Sequence, residues 1–238
     1  MVYGSNKSFF DDFKANLASI AGGVTIGTLL ANGIGSAIGS VKQFVGESEA
    51  AYKEAEQNQA QLAAVIKSTG AVAGRTQEQL NALSTELMNQ TGIDDDLISK
   101  SEALLLTFTN IGGEVYDQTL PLILDLSKAL GQDLQTSSIQ VGKALNDPIQ
   151  GITALKRVGV SFSEEQRVVI ERLQETGNIA GAQKVILAEL SKEFGGVAQA
   201  LSNTESGSLE RFNTRMGNIQ ESVGGMLTSM KVASIQAM

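Results

Sequence analysis

Residues 143–196 read KALNDPIQGITALKRVGVSFSEEQRVVIERLQETGNIAGAQKVILAELSKEFGG, short helical phrases parted by capping residues and glycines. Asp147 ahead of Pro148 sets a capping carboxylate before a residue whose missing N–H costs nothing at the first helical position, so a helix starts there. Leu145, Ile149, Ile152 and Leu155 recur at spacings of four and three, which predicts one apolar face, and Lys156 and Arg157 fall in the last turn, where cations suit the helix dipole. Gly159 ends it. Ser163, with Gln166 three residues on, forms a capping box for a second helix to about Thr176. Gly177 closes that helix and Asn178 caps a third, whose Ile179, Ala182, Ile186, Leu190 and Phe194 give a single apolar stripe before Gly195 and Gly196. The block reads as three short antiparallel helices with tight connections.

The phrases DPIQGITALKRVGVSFSEEQ (residues 147–166) and GNIAGAQKVILAELSKEFGG (residues 177–196) resemble the helical region of tail tape measure proteins of long-tailed phages and prophages. The resemblance implies a structural component that fills the tail tube, governs tail length and assembly, and assists DNA ejection. It implies a place in the virion tail lumen after synthesis in the host cytoplasm. The partners it implies are the tail tube protein, a tail assembly chaperone, tail-tip proteins and further copies of the chain, with host membrane contact during ejection. Such proteins are usually several times longer, so the chain reads as a fragment or a short member of the family.

Working outward, residues 76–196 are predicted to form one compact helical domain. Thr76 with Gln79 makes a capping box for a helix through about Asn89. Asp94, Asp95 and Asp96 read as the negative start of the next helix rather than as a calcium loop, whose alternating ligands, central glycine and terminal glutamate are out of register here. Leu97, Ser101, Leu104, Leu105 and Phe108 share a face of that helix, and Leu120, Ile123, Leu124, Leu126 and Leu130 supply the opposing one, with Pro121 expected to bend or start a helix. Gly112 and Gly113 provide the turn between them, and a helix from about Thr136 to Asn146 carries Gly142, which allows close contact.

Residues 1–70 form an N-terminal segment. From Ala15 to Val41 the chain carries no charge, and as a helix this stretch is about 40 Å long, enough for a bilayer core of about 30 Å. Within it Gly23, Gly27, Ala31, Gly35 and Gly39 recur every four residues, a helix-packing or membrane ridge that lets two backbones approach closely. Residues 47–68 change to an Ala, Glu and Gln-rich helix with a thin stripe of Ala51, Ala55, Leu62 and Val65 or Ile66. It reads either as a solvated helix packing weakly on a neighbour or as an exposed coiled-coil seam toward identical chains. Ser202 to Ser208 read as a polar loop. Residues 208–238 then form a C-terminal helix whose Phe212, Met216, Ile219, Val223, Leu227 and Met230 recur every three or four residues, with no stop signal before Met238.

Composition bounds the chemistry. Two prolines, many Ala, Leu, Gln and Glu and no convincing strand make the fold all-α: a long glycine-rich N-terminal helix, a compact multi-helix domain and a coiled-coil-like C-terminal helix. The chain has no Cys and no His, which removes disulfides, thiolate and imidazole metal sites and a Ser-His-Asp triad. Residues 1–120 carry 7 basic and 14 acidic side chains, against 11 and 12 in the remainder, so the first half holds the excess acidity. No cluster of Lys and Arg with aromatics appears, so specific nucleic-acid binding is not expected. No catalytic, cofactor-binding or metal residue is singled out, and no cofactor or enzymatic activity is expected. From a different class, the uncharged run and glycine ridge also fit a membrane-active protein, pore-forming or holin-like.

Overall fold

In the computed structural model, residues 34–236 are described. They form ten α-helices and no strand among the described residues, which is the all-α architecture expected. In chain order these are α1 (Ile34–Ser68), α2 (Gln77–Thr91), α3 (Asp95–Leu106), α4 (Gly113–Leu130), α5 (Leu134–Asn146), α6 (Pro148–Lys156), α7 (Glu164–Glu175), α8 (Ile179–Phe194), α9 (Val197–Ser202) and α10 (Glu205–Gln236).

Local chemistry sets most of the boundaries. Thr76 and Ser163 make the reciprocal capping boxes with Gln79 and Gln166, while Asp94, Asp147 and Asn178 each accept a backbone N–H inside their helix. Each satisfies a donor that the helix itself leaves orphaned. Gly92, Gly131 and Gly177 follow helix ends with positive φ, as the left-handed closing position favours. A cap not anticipated from sequence is Asp133, which accepts from Thr136 at 2.7 Å and starts α5 two residues earlier than expected.

Helices α2 to α8 enclose the apolar core, with Leu80, Leu105, Tyr116, Ile123, Leu145, Leu155 and Ile186 fully buried. Leu62 near the end of α1 joins this core. Asp117 on α4 receives both Nε and the terminal nitrogen of Arg75, which ties the α1–α2 connection to the body, and Gly113 N donates to Ala73 O beside it. Gly142 passes so close to the Phe108 ring that a Cβ there would overlap it, the close contact that the glycine was expected to allow.

Several helical faces differ from the reading of the sequence. On α3 Ser101 and Leu105 of the expected face are buried and Leu104 and Phe108 half-buried, but Leu97 is 48% exposed and Ile98, Ala103 and Leu106 are buried in addition, so the core face is turned partly away from Leu97. Ile149 and Leu130 likewise lie toward solvent. Pro121 neither starts nor ends a helix but sits inside α4. Gly195 and Gly196 do not end the body: α9 follows at once, its N-terminus capped from another helix by the buried carboxylate of Asp125, which accepts from Gly196 N and Ala198 N, both at 2.9 Å. The expected loop from Ser202 to Ser208 shrinks to a tight turn before α10, with Thr204 Oγ1 accepting from Gly207 N.

The uncharged stretch 15–41 falls outside the described residues except for its last turns, which open α1. Among the described residues no helix is long and apolar enough to cross a membrane.

Candidate functional site

Two features outside the core present themselves to partners: the long pair formed by α1 and α10, and a groove beside α3. The pair is the most extensive helix contact in the molecule. α1 runs toward the body and α10 away from it. Thr214 Oγ1 donates to Gly92 O at the body, Gly224 packs on Ser48 and Tyr52, and Lys231 pairs with Glu49 further out. The helices are therefore antiparallel. A Cβ added to Gly224 would fall within the van der Waals radius of the Ser48 carbonyl oxygen, so the glycine is what permits this approach. The seam on α1 is narrow and small, Ser48, Ala55 and Asn58 being buried in it. The neighbour of the outer part of the α1 stripe is thus a helix of the same chain, about 170 residues away in sequence, while Leu62, Val65 and Ile66 pack on the body. On α10, Met216, Ile219, Val223 and Leu227 are half-buried as expected from their spacing, whereas Phe212 and Met230 are 52% and 63% exposed. Met226 shares the face of Phe212 and Met230, while Val232 and Ile235 are exposed on the opposite side of the helix.

Where the pair meets the body, carboxylates crowd together. Glu221 of α10 faces Asp94, Asp95 and Asp96 at the start of α3; burial first, and then those three charges, push its carboxyl up to about 7. Asp94 and Asp96 are themselves raised, chiefly by burial. Asn218 Nδ2 donates to Asp95 Oδ1 at 3.2 Å, and Lys100 nearby is engaged with Glu54 of α1 at 2.7 Å. Among the described residues no group of three or more carboxylates is placed to hold a metal ion.

The groove, of about 980 Å³, runs along α3 where α1, α5 and the start of α10 flank it. Leu97, Leu104, Val65 of α1 and Leu134 of α5 make an apolar floor. Its rim carries Asp94, Asp133 and the ion pair of Lys128 with Glu210, 2.6 Å apart. A further titratable group, Glu102, is fully buried between α2 and α3: Ser84 Oγ donates to its Oε2 at 2.9 Å, its Oε1 has no partner, and burial pushes its carboxyl up to about 8. A perturbed acid of that kind marks active sites when it lines a cleft. Glu102 lines none of the cavities found.

Of the ridge singled out from sequence, Gly23, Gly27 and Ala31 lie outside the described residues, and Gly35 and Gly39 belong to the first turns of α1. The close helix approach that is described uses Gly224 instead. Its signal in the sequence is the Gly224–Gly225 pair inside an otherwise regular apolar repeat. The signal for α9 is the lone Asp125 within the apolar run LPLILDLSKAL.

A capped helical bundle that carries a long antiparallel helix pair defines an all-α protein. The chain belongs to the prophage tail length tape measure protein family, whose signature matches residues 13–162, well over half of its length. It is accordingly a structural component of a phage tail. No curated protein and no solved structure matches the chain.

Proposed function

We propose that the chain packs as a helical segment inside the tail tube, where its family's tape measure proteins set tail length, and that it takes part in tail assembly and DNA ejection. What supports this reading most is the long α1–α10 pair with its exposed apolar row of Phe212, Met226 and Met230, a shape suited to lateral packing against other helices. The partners are tube, chaperone and tail-tip proteins together with further copies of the chain. The acidic first half suits a lumen through which DNA must pass without adhering.

The test is genetic and microscopic. Removing the gene from an inducible prophage is expected to abolish tails or leave tubes of uncontrolled length in negative-stain images, and supplying the chain in trans is expected to restore them. Normal tails of unchanged length in the deletion strain would refute the proposal.

A further inference from the structure

The groove beside α3 leaves unexplained why Leu97 stands half in solvent when the other side of the same helix is fully buried. Half-exposed Leu97 and Leu104 lie seven residues apart, two turns of one helical face, and Leu134 and Val65 flank them from α5 and α1. We infer that this groove is a docking site for a basic amphipathic helix of a partner protein. Three observations fix the chemistry of that occupant.

The first is length. From Leu97 to Thr107 the groove follows about 15 Å of helix, room for about three turns of a partner. The second is backbone chemistry. An extended peptide on this apolar floor would leave N–H and C=O groups unpaired, since no strand edge exists among the described residues to receive them. A helix satisfies its own backbone and presents leucine-like side chains at spacings of three and four.

The third is charge. Both rim cations are already matched, Lys100 by Glu54 and Lys128 by Glu210. Asp94 and Asp133 of the rim have no ion-pair partner among the described residues, and Asp95 repels Asp94 at the same end. A Lys or Arg delivered there relieves the repulsion. It comes most readily from the last turn of a helix lying antiparallel to α3, because cations favour a helix C-terminus and the two helix dipoles are then opposed. This assignment does not depend on where in a tail the chain works.

The experiment uses the full chain and a fluorescent alanine-based peptide of about 14 residues, with leucines spaced three and four apart and lysines in its last turn. A twin carries glutamate at the lysine positions. Fluorescence anisotropy is expected to show saturable binding of the lysine peptide, about tenfold weaker binding of the twin, and weakening in high salt. Leu97→Asp is expected to lower the affinity about tenfold, and Asp94→Asn several-fold, with circular dichroism unchanged because both side chains are partly exposed and Asn caps a helix as Asp does. Equal binding of the two peptides, or absence of binding by the lysine peptide to a folded chain, overturns the proposal. So does self-association in sedimentation that Leu97→Asp abolishes, since that assigns the groove to a second copy.

Discussion

The capped body and the α1–α10 pair are both helical, yet they are held by different physics. In the body, large aliphatic side chains such as Leu105, Ile123 and Leu145 are sealed from water, and the helix ends are fastened by side-chain caps. In the pair, Gly224 packs on Ser48 and Tyr52 with Ala55 buried nearby, little apolar area is sealed, and Phe212, Met226 and Met230 stand exposed along one face of α10. Among the described residues four buried polar atoms lack a partner, Ser48 Oγ and Asn58 Nδ2 on α1, Asn81 Oδ1 on α2 and Glu102 Oε1 on α3. Burying an unpaired polar group costs about 1–3 kcal/mol, so the thin seam of α1 bears two such penalties with little apolar burial to offset them. The body rests on sealed aliphatic packing, the pair on a close approach of backbones.

That contrast breaks most directly in the body. Leu145→Ala removes a fully buried side chain and is expected to lower unfolding free energy by about 2–5 kcal/mol, read from urea denaturation. Next comes Glu102. Its carboxyl holds its proton up to about pH 8 in the folded chain but releases it near 4.5 when unfolded, so the folded state binds more protons between those values. Stability is then highest below about pH 4.5, falls by a few kcal/mol as pH rises toward 8, and levels off above it. Glu102→Gln keeps the acceptor for Ser84 and is expected to flatten this slope; an unchanged pH profile in the variant would show that the acid is not the cause.

Changes in the pair should be milder and local. Gly224→Val collides with the Ser48 backbone and is expected to cost about 1–3 kcal/mol, opening α1 from α10 while the body keeps its melting transition. Hydrogen exchange resolved by segment checks this, and equal loss of protection in α4 would erase the distinction between the two regions. The smallest effect is expected at Glu221. Its raised carboxyl favours the docked α10 at low pH, and this contribution fades as pH climbs from about 4.5 through about 7. After correction for intrinsic exchange, α10 protection should decline over that range, and Glu221→Gln should remove the decline.

The same division governs how much the sequence disclosed. Caps are local, a hydroxyl or carboxylate and a backbone N–H within three residues, so Thr76, Asp94, Asp147, Ser163 and Asn178 were readable as helix starts. Which face of a helix turns inward is decided by its neighbours. Along α3 nearly every side is apolar, with Leu97, Ile98, Leu104, Leu105 and Leu106 all present, so spacing alone favoured Leu97 where packing against α1, α2 and α5 selects Ile98. The start of α9 depends on Asp125, about 70 residues upstream, a contact that leaves no local trace. The union of α1 with α10 is more distant still: Ser48 and Ala55 are too small to announce a partner, and only the Gly224–Gly225 interruption hints that another backbone comes near.

Because α1 enters and α10 leaves on the same side, Ile34 and Gln236 lie together at the far tip of the pair. Tension applied across those two points would therefore peel the helices apart one contact at a time, from the Lys231–Glu49 rung inward, instead of shearing all contacts together. A pull on this chain would be absorbed as slack from an unzipping stem, and the bundle at its base would feel the load only after that slack is spent.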